Sequence, residues 1–483
     1  MAFTPSEFHW YYQLKPCQLR VYLKEQGVQP AEPDAYHKLL ERLGERHERQ
    51  HLETLGTYFD ADGSVKATRE AVARKERVIY HPGLRVVHKE YGEVEGIPDF
   101  FIWSGSGYLI RDCKLARRFS EEHHAEIFRQ LELYGWLYEQ TFGVLPTRLE
   151  AHMGDGSLQT IVYEPQRALE MLAFIQQVKK MPEEPFDPVG WSKCMDCAFN
   201  EFVWKRARER HDVALLPSVD QALARALHGQ GIMTYDELIK CHTETTLVKV
   251  KKTVGGKERT VSENAAKRIL KEAEAHISGK VIVLKAPAVK IVPNVVAFDL
   301  EGIPPHLDYS ERIYLWGLKV FGKRSRPPMI AIGNVGVDGD QLGWQRFLQS
   351  CQELFSEYGD VPFIHWSHYE RTQVRKYVEK YGDPDGIAAR VLENLYDLYP
   401  VVEGSLVLPI PSYSLKVVEQ VVGFTRKIPE ANGKWSMATY IEAIETEDPK
   451  KAGELIGQIV QYNEEDLDAL WAVYQWLVKL QGE

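Results

Sequence analysis

The sequence is short of cysteine, of long apolar runs and of positive charge, and each shortage removes a class of protein. Six cysteines in 483 residues are too sparse for a disulfide framework, so Cys17, Cys113, Cys194, Cys197, Cys241 and Cys351 read as reduced thiols or metal ligands. No stretch is apolar over the roughly 20 residues that span a bilayer. The N-terminal MAFTPSEFHWYYQLKPCQLRVYLKEQG carries lysines and prolines where a secretory signal would place an apolar core. A cytoplasmic protein is the expectation. The formal net charge of −10 denies the chain an overall basic footprint for a polyanion, leaving that work to local basic patches. No G-x-x-x-x-G-K-[ST] loop occurs, so ATP dependence is not expected of this chain alone.

What is present is the composition of folded protein. Hydrophobic residues at 44% and aromatics at 11% support packed cores, and the length exceeds one typical core, so two or three domains are expected. The most informative stretch is 97–118, IPDFFIWSGSGYLIRDCKLARR. Apolar and aromatic residues flank a Ser-Gly-Ser-Gly tip, the pattern of a β-hairpin. Asp99 begins the first strand. Asp112 and Lys114 lie two apart on the second, which puts both on one face and Cys113 on the other. Carboxylates there could hold a hard cation such as Mg²⁺, with the ammonium orienting or helping to deprotonate an attacking water. An ordinary charged surface hairpin has the same composition, so residues elsewhere must decide.

Two helices flank the hairpin. In the first, Tyr36, Leu40 and Leu43 mark an apolar stripe whose next step is His47. In the second, Ile127, Gln130, Tyr134 and Tyr138 recur at helical spacing, so Gln130 and Tyr134 share a face. Taken together, Gly44-x-x-His47, Pro98-Asp99, Asp112-Cys113-Lys114 and Gln130-x-x-x-Tyr134 resemble the RecB-like branch of the PD-(D/E)xK nuclease superfamily. That resemblance implies His47, Asp99 and Asp112 as metal ligands, Lys114 as the water-activating residue, and Gln130 and Tyr134 as contacts near the scissile strand. It also implies a look at the thiols: several RecB-like nucleases clip their ends around an iron–sulfur cluster with one early and three late cysteines. Here Cys17, Cys194 and Cys197 fit three places, but Val203 stands at the fourth, and a cluster ordinarily takes four thiolates. A substituted cluster, a zinc site and inert packing cysteines all stay open.

Strands at 147–153 and 158–163 and a helix at 166–180 complete an α/β unit. From 215 the chain turns to short helical segments with a Gly231-Ile232 turn, resembling a helix-hairpin-helix module; a plain helical spacer has the same signature. Within it, Lys249, Lys251, Lys252, Lys257 and Arg259 surround Gly255-Gly256, suggesting a basic hairpin for a phosphate backbone, though a solvated charge run reads alike.

The last segment opens with NVVAFDLEG at Asn294, where alternation directs Asp299 and Glu301 to one face. Strands are expected at 312–321, 329–335 and 361–366, with a helix at 344–358. Glu370 follows the last of these strands, and a final helix carries Tyr462 and Asp466 one turn apart. Asp299-x-Glu301, Glu370 and Tyr462-x-x-x-Asp466 resemble the exonuclease motifs of the ribonuclease H-like, DnaQ-type superfamily, with Glu370 in place of the usual Asp. The resemblance implies a metal cage of Asp299, Glu301, Glu370 and Asp466, with Tyr462 positioning the water.

The expected architecture is therefore multi-domain α/β: a restriction-endonuclease-like nuclease core over 1–212, a helix-hairpin-helix-like segment over 213–290 bearing Lys251, Lys252 and Lys257, and a ribonuclease H-like mixed-sheet domain over 291–483. The whole resembles RecB-like nucleases with a YprB/DnaQ-type C-terminal domain. It implies a Mg²⁺- or Mn²⁺-dependent nuclease acting on nucleic acid, DNA favoured over RNA, with two active sites. The rival is a nucleic-acid-binding scaffold in which one or both sites have decayed. No membrane partner is expected, and the sequence names no helicase or repair partner.

Overall fold

Strands Phe100–Trp103 and Tyr108–Lys114 pair antiparallel with Trp103 opposite Tyr108, the hairpin that the 97–118 stretch predicts. The structure is a computed structural model and describes residues 2–12, 16–117, 119–185, 190, 194–307, 311–333 and 337–482. Arg118 and residues 334 and 335 of the expected 329–335 strand lie outside them. Packing divides the chain into one unit of 1–33, 37–189 and 193–203 and a second of 34–36, 190–192 and 204–483. The helical segment from 213 thus falls with the 291–483 segment in this division.

In the first unit the hairpin is the middle of a six-stranded sheet, in the order Phe59–Asp60, Val78–Tyr80, Phe100–Trp103, Tyr108–Lys114, Leu149–Met153 and Leu158–Ile161. Tyr108–Lys114 runs parallel to Leu149–Met153, and a parallel pair requires a crossover, here helix Ala125–Phe142. Period two separates the two faces. Phe101, Tyr108 and Ile110 join Leu131 and Tyr138 in the main core, whereas Phe100 and Cys113 pack with Leu52 of helix Ala35–Leu55. Gly96 permits a close approach at the edge of this core: a Cβ there would sit 2.7 Å from Tyr134 Cε1.

The second unit begins with short capped helices. Asp220 accepts from Leu223 N at 2.8 Å to start Gln221–His228, and Thr234 with Glu237 forms a capping box for Tyr235–Cys241. Lys251–Val254 and Lys257–Thr260 form the expected hairpin, and Gly255 and Gly256 both take the positive φ its tight turn demands. A five-stranded sheet follows in the order Arg326–Ile332, Arg312–Gly322, Asn294–Ile303, Phe363–His365, Leu395–Asp397. The first three strands are antiparallel and the last two join in parallel. Helix Val337–Tyr358 covers one face through Trp344, Phe347 and Leu354, and helix Pro449–Gly482 the other through Leu467, Leu470 and Val473. Among the described residues no helix is long and apolar enough to cross a membrane.

Candidate active sites

In the first unit two aspartates are locked to the hairpin's own backbone. Asp99 Oδ2 accepts from Cys113 N at 2.6 Å, and Asp99 N donates to Asp112 Oδ1 at 3.2 Å. Asp112 is only 2% exposed, and its Oδ2 lies 2.5 Å from Lys114 Nζ. A relay continues from there: Lys114 Nζ donates to Gln130 Oε1 at 2.9 Å, Gln130 Nε2 to Tyr134 Oη at 3.0 Å, and Tyr134 O–H to the Ile97 carbonyl at 3.1 Å. Burial, then the charges of Asp112 and Glu48, push Asp99 well above the usual carboxylate range. Burial opposes the charge on Lys114, but Asp112 and Asp99 prevail and raise its pKa. So paired, Lys114 is a fixed cation that can hold a water or an anionic oxygen. A cavity of about 670 Å³ opens beside Lys114, Gln130 and Tyr134, with Gly96, Ile97 and His9 also in its wall.

The structure brings Asp99, Asp112, Lys114, Gln130 and Tyr134 together, but places His47 with other partners. Its Nε2 lies 3.1 Å from His152 Nδ1, the two rings stacked. The acid of that helix nearest Asp99 is the next residue, Glu48, which receives the Tyr80 hydroxyl at 2.5 Å and contacts His81 Nε2 at 2.8 Å. Glu48, His81 and Asp99 offer ligand atoms within 4.8 Å of one another. Burial disfavours the Glu48 carboxylate, yet hydrogen bonds from His81 and Tyr80 hold its pKa below the usual value. His81 is raised by that same bond and sits at φ +46°, a conformation costly for a non-glycine residue. Sequence reasoning missed Glu48, His81 and His152. Glu48 adjoins the quoted motif, but the helical stripe marks only the face of Leu43 and His47. Burial and neighbouring imidazoles lower His152 to about 4 and His51 to about 3, so both are neutral at pH 7.

In the second unit Asp299 and Glu301 project from strand Asn294–Ile303 beside a β-bulge at Glu301/Gly302. Asp466 comes from helix Pro449–Gly482, with Tyr462 one turn earlier and both buried. Asp299, Glu301 and Asp466 offer ligand atoms within 4.8 Å of one another. Asn463 Nδ2 donates to Asp299 Oδ2 at 2.7 Å. Glycine makes that reach feasible, because Gly317 pairs opposite Asp299 and a Cβ there would lie 1.9 Å from Asn463 Oδ1. Glu370 is buried with its Oε2 3.2 Å from His365 Nδ1, outside the three-acid group. Arg426 donates to Asp466 Oδ1 at 2.6 Å and also grips Glu419. Lys416 Nζ lies 4.8 Å over the Tyr462 ring. Asn463, Arg426, Lys416 and His365 are the members that sequence reasoning missed.

Burial, then Asp466, Glu301 and Glu370 in turn, raise Asp299 well above the usual range, with Arg426 opposing. Burial and then Asp466 do the same to Glu301. Carboxylates crowded this way suit a divalent cation. They also cost stability without one. The contribution of a raised acid is full below the ordinary aspartate value and is lost as pH rises through the folded-state value. Asparagine imitates the protonated acid, so metal-free Asp299→Asn should melt above wild type at neutral pH and converge with it in acid. Equal melting temperatures at neutral pH would contradict this crowding.

Three of the four places that an iron–sulfur cluster takes hold thiols, those of Cys17, Cys194 and Cys197. Cys17 and Cys194 are buried, and burial, helped by the charge of the nearby Cys17, raises the Cys197 thiol against the Phe199 backbone hydrogen bond and the charge of Arg20. Val203, at the fourth place, is a buried apolar residue of helix Asn200–Arg210. If these thiols hold a cluster, anaerobically purified protein should be brown and contain iron and sulfide that Cys17→Ser removes. Colourless, iron-free protein of normal stability would contradict it.

Two family models match the chain: residues 10–202 match the PD-(D/E)XK nuclease superfamily and residues 296–478 the RNase_H superfamily. The first range contains Asp99, Asp112 and Lys114; the second contains Asp299, Glu301, Glu370 and Asp466. No curated protein matches the chain.

Proposed function

We propose that this chain, which joins a PD-(D/E)XK nuclease superfamily domain to an RNase H superfamily domain, is a metal-dependent nuclease with two separate active sites. The substrate is nucleic acid, DNA in preference to RNA by the RecB-like resemblance. One observation carries the reading: in each domain acids from separate elements converge, Glu48 with Asp99 in one and Asp299, Glu301 and Asp466 in the other. Asp99, Asp112, Glu48 and His81 would hold a cation in the first site; Asp299, Glu301 and Asp466 would do so in the second, with the charge of Glu370 acting on Asp299 from outside that group. Bound Mg²⁺ or Mn²⁺ supplies charge neutralisation at the phosphoryl group and an acidified water. Lys114 places a positive charge where negative charge builds up at the phosphate, and Gln130 and Tyr134 hold the strand beside it. In the second site Tyr462 orients the water, and Arg426 restrains Asp466.

Labelled single- and double-stranded DNA and RNA, incubated with and without Mg²⁺ or Mn²⁺, test this. Metal-dependent shortening abolished by chelation is expected; binding without cleavage of any substrate would hand the protein to the scaffold reading. That rival draws its support from the ion pair between Arg426 and Asp466, which occupies a carboxylate that a metal would need.

The basic hairpin is proposed to contact the phosphate backbone. Lys252 also bonds Asp220 at 2.5 Å, and Lys251 bonds Glu258 at 3.1 Å, whereas Lys257 is exposed. Replacing Lys251, Lys252 and Lys257 together should weaken binding across all sequences, the slope of log affinity against log salt falling by about 1 for each lost contact. An unchanged slope returns the hairpin to a solvated charge run.

A further inference from the structure

Two imidazoles and a thiol converge on the sheet face away from Lys114, and the hydrolysis proposed above uses none of them. Helix Ala35–Leu55 supplies His47, strand Tyr108–Lys114 supplies Cys113, and its parallel neighbour Leu149–Met153 supplies His152, in register with Cys113. His152 Nδ1 faces both partners, 3.1 Å from His47 Nε2 and 3.8 Å from Cys113 Sγ. All three residues offer ligand atoms within 4.8 Å of one another. A tetrahedral zinc centre, with its ordinary Zn–N and Zn–S bond lengths, sets neighbouring ligand atoms roughly 3.3 Å apart for N to N and roughly 3.6 Å for N to S. The two distances from His152 Nδ1 match those edges to within a few tenths of an ångström, and the His47–Cys113 pair lies within 4.8 Å. His51 stacks on His152 with ring centroids 3.8 Å apart and meets Arg111 Nη1 at 3.0 Å, the kind of outer support that holds a ligating ring in place.

We propose that His47, Cys113 and His152 form a soft-metal site, selective for Zn²⁺ over Mg²⁺ and separate from both carboxylate sites. Imidazole and thiolate donors favour that class of ion, while hard Mg²⁺ favours oxygen. On binding, a sulfur–metal bond forms and the thiol proton passes to solvent. The occupied site ties the helix to two strands of the sheet. Because Glu48 follows His47 on that helix and Cys113 N holds Asp99, the tie also fixes Glu48 beside Asp99.

Co²⁺ added to the full-length protein, in excess Mg²⁺ and a non-thiol reductant, reports the site without any measurement of hydrolysis. A thiolate-to-cobalt charge-transfer band with the visible bands of tetrahedral cobalt is expected, displaced by Zn²⁺ and not by Mg²⁺. Cys113→Ser should abolish the charge-transfer band, and His47→Gln, which leaves the catalytic strand untouched, should weaken Co²⁺ affinity by about tenfold or more. No charge-transfer band in wild type, a band that survives Cys113→Ser, or displacement by Mg²⁺ would each overturn the assignment. A protein that binds Co²⁺ through Cys113 but cleaves nothing would keep this site and lose the nuclease reading.

Discussion

Asp112→Ala should lower hydrolysis by the proposed N-terminal site by on the order of a thousandfold, a barrier increase of several kcal/mol. The expected size follows from how many functions meet at this carboxylate. It accepts from Asp99 N, so it fixes the neighbouring ligand, and it holds Lys114 at 2.5 Å. Alanine removes a proposed metal ligand and leaves a largely buried lysine without its main anion, which costs more than the bond itself. Asp112→Asn keeps the shape and the acceptor for Asp99 N, so it should fold like wild type and still lose most of the rate. Single-turnover cleavage, read in an Asp299→Ala background with circular dichroism as the folding check, isolates the effect. Wild-type rates in Asp112→Asn would remove this carboxylate from the machinery.

Asp299→Ala is expected to cost the C-terminal site a similar factor, with the opposite companion effect on stability. Asp299 is the acid on which Asp466, Glu301 and Glu370 all press, so its removal should relieve repulsion in the metal-free fold while taking away a proposed metal ligand. Loss of activity together with an unchanged or higher melting temperature at neutral pH is the expected signature. A mutant that loses both would have lost its fold, and Asp299→Asn, which can still accept from Asn463, then separates the two causes.

The elements that bear Asp99, Asp112 and Asp299 are legible in the sequence because a turn-forming tip and a period of two fix which side chains share a face. Lys114 and Asp112 two apart, and Tyr462 and Asp466 one helical turn apart, are local relations of that kind. Glu48 with His81 is not: the pair is 33 residues apart, and nothing periodic links a helix flank to a residue at positive φ. Asn463 reaches Asp299 only because glycine stands opposite it on the next strand, and Arg426 meets Asp466 from a loop, so both depend on packing that composition does not encode. The same limit applies to His47. Its helical stripe predicts a buried histidine, which it is in part, but only the parallel register of Cys113 with His152 reveals the company it keeps. The helical segment from 213 is legible as helices and caps, while its inclusion with the second unit is a matter of long-range contacts.

The central claim is that two independent sites cut nucleic acid, and the products of end-labelled DNA test it most directly. Wild type, Asp112→Ala, Asp299→Ala and the double mutant should be compared under one metal condition. The account predicts that each single mutant retains cleavage with its own distribution of product lengths or end positions, and that the double mutant cuts nothing. If Asp112→Ala alone abolishes all hydrolysis and Asp299→Ala leaves the products unchanged, the C-terminal domain binds without cutting and the two-site account fails.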